Sequence, residues 1–90
     1  MAFREAVLTV VRSIPAGSTM TYQEVARRAG CLGASRAVGS FMKANQDLGV
    51  PCHRVVRSDG KVGAYNRAGG SQTKWRRLEE EGVDMTHFHL

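Results

Sequence analysis

Cys52 and His53 stand together in the run Pro51-Cys52-His53-Arg54-Val55, a thiol beside an imidazole with a rigid residue before the pair and a cation after it. The thiolate is the nucleophilic form of cysteine. It is populated at neutral pH only when a base or a nearby positive charge brings the thiol down from about 8.5. His53 is the candidate base, acting through a hydrogen bond or one intervening water, provided that a carboxylate from elsewhere in the chain holds its other nitrogen in the right tautomer. Taken alone, the pair fits a cysteine buried as a small hydrophobe better than it fits a nucleophile. A zinc site drawn from Cys31, Cys52, His53, His87 and His89 is disfavoured, because neither Cys-x-x-Cys nor His-x-x-x-His spacing occurs. No metal is expected on this spacing.

The elements that must position this pair can be read from periodicity. Apolar residues at Phe3, Val7, Val10, Val11 and Ile14 recur at helical steps, and Pro15-Ala16-Gly17 ends that stripe. Thr21 followed by Glu24 has the spacing of a capping box, which predicts a second helix from Tyr22 to Ala29, stopped by Gly30. A third helix is expected from Ala34 to Lys43, so that two short helices flank the turn Cys31-Leu32-Gly33 as in a helix-turn-helix. A loop from Asn45 to Pro51 delivers the chain to Cys52. Val55-Val56, the turn Ser58-Asp59-Gly60-Lys61 and the return at Val62 read as a small β-hairpin. Thr73 to Glu81 reads as a last helix ended by Gly82, and the tail from Asp84 to Leu90, without a period, is expected to fray. The expected fold is mainly α with a small β-hairpin, a winged helix-turn-helix-like domain.

Ninety residues allow one domain with one modest core, so residues 1–90 are read as a single unit. The 42% hydrophobic and 23% charged fractions fit an ordinary globule and exclude a disordered chain. Neither a membrane span nor a signal-peptide layout is found, so a cytoplasmic protein is expected, without a membrane partner. Thirteen Lys and Arg against eight Asp and Glu leave a net charge of +5, which suits a polyanion such as nucleic acid.

Pro51-Cys52-His53-Arg54-Val55-Val56, with Ser58-Asp59-Gly60 and Val62-Gly63-Ala64-Tyr65 after it, resembles the active-site signature of the O6-alkylguanine-DNA alkyltransferases, or methylated-DNA–protein-cysteine methyltransferases. Further matches lie at Ile14-Pro15-Ala16-Gly17, Thr21 to Ala26, Ser35 to Gly39, Met42 to Asn45 and Leu78 to Gly82, in the same order and spacing. The resemblance implies direct-reversal DNA repair, in which an alkyl group such as methyl moves from O6 of a flipped-out guanine to the protein's own cysteine. The thioether has no easy hydrolytic exit, so each molecule would act once, without a cofactor.

Carried over position by position, the resemblance implies that Cys52 is the alkyl acceptor and that His53 relays its proton through water. Arg36, with its neighbours Ala34 and Ser35 in the recognition helix, is similar to the family's arginine finger and its DNA contacts. Tyr22 matches the tyrosine that rotates the target nucleotide. Asn45 matches the asparagine bracing the active-site loop and, with Tyr65, Val62 and Gly63, is assigned to the lesion pocket. The carboxylate orienting His53 falls within Glu79-Glu80-Glu81. Keeping Lys74, Leu78 and Gly82 in register selects Glu81, whereas counting from Trp75 selects Glu80. The implied partner is double-stranded DNA containing O6-alkylguanine, bound from the minor groove by a monomer, with Arg27, Arg28, Lys43, Arg54, Arg57 and Lys61 as candidate phosphate contacts.

The chain also departs from the family pattern. The usual N-terminal domain is expected to be absent, Asn66-Arg67 lengthens the loop after Tyr65, and Ser71, Arg76 and Arg77 occupy positions that are commonly apolar. The competing function is that of the alkyltransferase-like proteins, which flag O6-alkylguanine for other repair factors without removing the alkyl group. These typically carry tryptophan where this chain has Cys52, so the cysteine favours transfer. A winged-helix regulator with an incidental Cys-His pair is the reading left if the extended match is ignored.

Overall fold

The computed structural model describes residues 2–90. Helix α1 spans Phe3–Arg12, strand β1 Met20–Thr21, helix α2 Tyr22–Arg28, helix α3 Ser35–Ala44, a single 3₁₀ turn Cys52–Arg54, strand β2 Val55–Val56, and helix α4 Gly70–Glu80. The first three helices form where periodicity placed them. Thr21 Oγ1 accepts the backbone N–H of Glu24 at 3.1 Å and opens α2. The reciprocal half of the capping box is missing, because the Glu24 carboxylate pairs instead with Arg27 and Arg28.

Val7, Leu8 and Val11 of α1, Val25 and Ala26 of α2, and Val38 and Met42 of α3 form one core, which also takes in Val50, Cys52 and Val55. The chemistry-bearing turn is therefore anchored in the same core that holds α2 against α3. A second cluster, Val56, Val62 and Leu78 with Trp75, Val83, Met85 and Phe88 around it, joins α4 to the chain that follows the turn.

Two expectations need correction. Val55-Val56 does not fold back on Val62 as a hairpin: β2 pairs in parallel with β1, Met20 opposite Val55 and Thr21 opposite Val56. The turn does close through Arg57 N–H to Lys61 O at 3.2 Å, but the returning chain pairs with the tail, Val62 N–H to His89 O at 3.1 Å and His89 N–H to Gly60 O at 3.0 Å. Both residues of β2 are buried, as a strand enclosed between two core clusters requires. For the same reason the tail is docked rather than frayed, with Val83, Met85 and Phe88 covering the second cluster.

Helix α4 begins three residues before Thr73, because Gly69 takes φ +90° and turns the chain into Gly70. At that φ any side chain would be strained, and a β-carbon on Gly69 would fall 1.9 Å from Thr73 Oγ1 and force the hydroxyl off Ala68 O. The helix ends in a Schellman turn, with Gly82 N–H bonded to Glu79 O at 3.0 Å and Val83 N–H to Leu78 O at 3.1 Å. This ending makes Glu81 the C-cap residue. Among the described residues, no helix is long and apolar enough to cross a membrane.

Candidate functional site

Asn45 is the C-cap of α3, where an extended ψ of 130° turns the chain out of the helix. Its Nδ2 donates to Asp47 O at 3.0 Å and to Cys52 Sγ at 3.1 Å, and its Oδ1 accepts the Asp47 N–H at 3.3 Å. One side chain thus shapes the loop and touches the sulfur at its far end. Cys52 N–H bonds to Val50 O at 2.8 Å, and the 3₁₀ turn holds the residue at 6% exposure. Burial pushes the Cys52 thiol up, while the Asn45 N–H and the charges of Arg67 and Lys74 pull it back.

His53 is 3% exposed and makes no aligned hydrogen bond through Nε2. The atom set to take a proton there is Glu81 Oε2, 3.1 Å away. Burial depresses the His53 pKa and the Glu81 charge partly restores it, so the imidazole is neutral at pH 7, as a base must be. Glu81 itself is held at about 2, first by its hydrogen bonds from Arg54, with burial opposing and His53 adding to the effect. Arg54 grips it through Nε to Oε1 at 3.0 Å and Nη2 to Oε2 at 2.5 Å, and anchors its third nitrogen on Ile14 O at 2.8 Å. Glu79 and Glu80 are exposed on α4, so of the three neighbouring glutamates only Glu81 meets the histidine. Arg54, expected among the phosphate contacts, is committed to this inner carboxylate.

The thiol borders a cavity of about 130 Å³ lined by Tyr22, Gly39, Met42, Lys43, Cys52, Ala64, Tyr65 and Asn66. Tyr22 and Gly39 also border a broad groove of about 570 Å³ that carries Gln23, Ser35, Arg36, Arg57, Ser58 and Asp59. Arg36 is exposed there on the first turn of α3, whereas Ala34, one residue before the helix, packs against the core instead of lining the groove. Arg27 and Arg28 are paired with Glu24, and Arg57 with Asp59, while Lys43 and Lys61 have no carboxylate partner among the described residues.

Val62 and Gly63 do not line the cavity. Val62 is wholly buried in the second cluster. Gly63 has φ +89°, and a β-carbon on it would crowd Tyr22 Oη at 3.3 Å and Lys74 Nζ at 3.4 Å. Its part is therefore a close backbone approach behind the tyrosine. Asn45 acts from beneath the sulfur and is not among the cavity walls.

Two features escaped the sequence reading. Lys74, used there only for register, is 1% exposed; its Nζ reaches Ala64 O at 3.3 Å and Tyr22 Oη at 3.4 Å and lies 5.6 Å from the Tyr22 ring centre. Its four-residue offset from buried Leu78 was the available signal, since it places the lysine on the apolar face of α4. The second is the role of Asn66-Arg67, noted there only as a longer loop, in covering the end of α3: Asn66 Nδ2 donates to Lys43 O at 2.5 Å and Asn45 O at 2.9 Å, and Arg67 Nη1 to Asn45 O at 3.1 Å. These bonds satisfy carbonyls that the helix end leaves open.

Residues 2–83 match the family described as 6-O-methylguanine DNA methyltransferase, DNA binding domain. The chain is 50% identical over 84 residues to the methylated-DNA–protein-cysteine methyltransferase of Methanothermobacter thermautotrophicus, a match covering 92% of this chain and 46% of that protein. It is similar to the crystal structure of Mycobacterium tuberculosis OGT in complex with DNA, with a TM-score of 0.81 and 39% identity over 90% of this chain and 49% of that one. The structure of Schizosaccharomyces pombe Atl1 in complex with damaged DNA containing O6-carboxymethylguanine matches with a TM-score of 0.80 and 40% identity, over 91% of this chain and 77% of that one. The chain thus spans about half the length of the methyltransferases it resembles.

Proposed function

Since this chain belongs to the family of the 6-O-methylguanine DNA methyltransferase DNA-binding domain, we propose that it reverses O6-alkylguanine damage in double-stranded DNA by moving the alkyl group, methyl above all, onto Cys52. The observation that carries this reading is the connected set Asn45, Cys52, His53 and Glu81, in which a buried thiol at a cavity wall receives an N–H and precedes a neutral histidine held against a carboxylate.

The target carbon lies on a base edge inside the duplex, so the nucleotide must leave the stack, at a cost of a few kcal/mol. In this reading Arg36 enters the vacated space from the minor groove, with Ser35 beside it, and Tyr22, at the junction of groove and cavity, turns the nucleotide in. Tyr65 closes over the base. His53 takes the thiol proton through a water, with Glu81 stabilising the imidazolium that forms. The sulfur then attacks the alkyl carbon, the carbon–O6 bond breaks, and guanine leaves with the electron pair and a proton. A thioether on Cys52 ends the protein's activity after one turnover. All the residues given a role belong to one domain, and its place of action is the cytoplasmic DNA.

Mixing the protein with duplex DNA containing O6-methylguanine tests this directly: its mass should rise by one methylene, located on Cys52. Cys52→Ser should bind the lesion and leave it unrepaired. Lesion binding by the wild type with no gain in mass would make the protein a module that flags damage for other factors.

A further inference from the structure

Cys52 stands between two cavities. The first, about 130 Å³, is bordered by Tyr22 and Met42 and is the space assigned above to the base. The second, about 200 Å³, opens on the side of Pro51 and His53 and is rimmed by Arg12, Arg54, Arg67 and Arg77. Cys52 and Tyr65 belong to both walls.

The four guanidiniums are not equivalent. Arg12 is paired with Asp47 at 3.4 Å and Arg54 with Glu81 at 2.5 Å. Arg67 and Arg77 are bound only to neutral groups: Arg67 Nη1 to Asn45 O at 3.1 Å and Asn66 Oδ1 at 2.8 Å, and Arg77 Nη1 to Tyr65 Oη at 2.7 Å. Among the described residues, no carboxylate pairs with either. Each is held in place through one nitrogen, and each keeps N–H donors free for a further acceptor. Both also stand where the sequence leaves the family pattern, Arg67 in the lengthened loop and Arg77 at a commonly apolar position of α4.

An in-line displacement places the attacked carbon between Sγ and O6 and turns its remaining group off that axis. With guanine filling the first cavity, the space beside the thiol that remains for such a group is the second one. We propose that this second cavity is the subsite for the O6 substituent, and that Arg67 and Arg77 make it selective for substituents ending in a carboxylate. The inference rests on the transfer reading given above and adds the class of lesion. For O6-carboxymethylguanine the Sγ–CH₂ bond forms as the CH₂–O6 bond breaks, the electron pair passes to guanine, which takes up the proton lost by the thiol, and the protein keeps an S-carboxymethyl group. The carboxylate takes no part in the bond changes; it is held by charge-assisted hydrogen bonds.

Single-turnover rates on three duplexes differing only in the lesion test this: O6-methylguanine, O6-carboxymethylguanine and its neutral amide, O6-carbamoylmethylguanine. The carboxymethyl lesion should react about tenfold faster than the amide at low salt, the scale of one hydrogen bond to a charged group. That ratio should shrink as salt screens the contact. Arg67→Gln and Arg77→Gln should each lower the ratio, and Arg67→Glu should invert it. Taking the ratio within one protein sample removes any difference in the amount of folded protein. A wild-type ratio near one, or a ratio unchanged in both Gln variants, overturns the subsite while leaving methyl transfer standing. Failure on O6-methylguanine overturns the transfer reading and the subsite with it.

Discussion

Glu81→Gln keeps the shape of the C-cap side chain and removes its charge, and it acts separately on stability and on transfer. In the folded protein the carboxyl lies at about 2 against an ordinary 4.5, chiefly because Arg54 donates to both of its oxygens. An acid with a depressed pKa stabilises the fold above its unfolded value and loses that contribution as pH falls through the folded one, here from about 4.5 down to about 2. At 1.36 kcal/mol per unit the ceiling is ~3 kcal/mol. The side chain is 18% exposed, and a negative charge at a helix C-terminus costs a further fraction of a kcal/mol. The net loss in Glu81→Gln at pH 7 should therefore be about 1–2 kcal/mol, or roughly 4–16 °C in Tm for a domain of this size. The difference from wild type should close as pH falls towards 2. Transfer should suffer more, because the amide no longer fixes which His53 nitrogen carries the proton, and the rate should drop on the order of 100-fold. The assay is the single-turnover rate on O6-methylguanine duplex across pH, with Glu80→Gln as the partner variant. Glu80 is exposed on α4, so its variant should stay close to wild type in rate and in Tm. If Glu80→Gln slowed transfer as much as Glu81→Gln, the assignment of the histidine's partner would be wrong.

The remaining predictions use the same protein. Asn45→Ala removes the N–H on Cys52 Sγ, so the thiol pKa should rise further; iodoacetamide labelling of Cys52 should shift to higher pH, and transfer should slow about tenfold. Lys74→Met removes a buried ammonium whose pKa burial has lowered from 10.5 to about 8. Between those values the unfolded chain holds the extra proton, so this group makes wild-type stability rise with pH, and denaturant titrations should show that increment missing from Lys74→Met. The same variant should also label Cys52 at higher pH, since the lysine charge favours the thiolate. In wild type, transfer should fall as pH drops below the depressed His53 value, which puts the acid limb below 6.5.

Much of the fold was legible because local signals coincide with the final packing. The stripe of α1, the Thr21 cap and the glycine turn between α2 and α3 each satisfy a local requirement that the core then reinforces. The hairpin reading failed because Val55-Val56 has the same local appearance whichever strand lies beside it, and the partner, Met20–Thr21, is distant in sequence. The tail failed for a related reason, since Val83, Met85 and Phe88 show no period and are ordered only by the cluster they cover.

At the site, the Cys52-His53 neighbour pair and the three-glutamate run were visible in the sequence alone, and the register against Lys74, Leu78 and Gly82 pointed to Glu81. The reason for that choice is tertiary: the Schellman turn at Gly82 makes Glu81 the C-cap, where Arg54 and His53 can both reach it, and leaves Glu79 and Glu80 to solvent. Residue types and spacing were enough to nominate the groups that could react. Which of them are desolvated, which carboxylate is shared, and that the charges of Lys74 and Arg67 reach the thiol and that of Arg77 the histidine were decided by packing, because burial and through-space charge belong to no single stretch of chain.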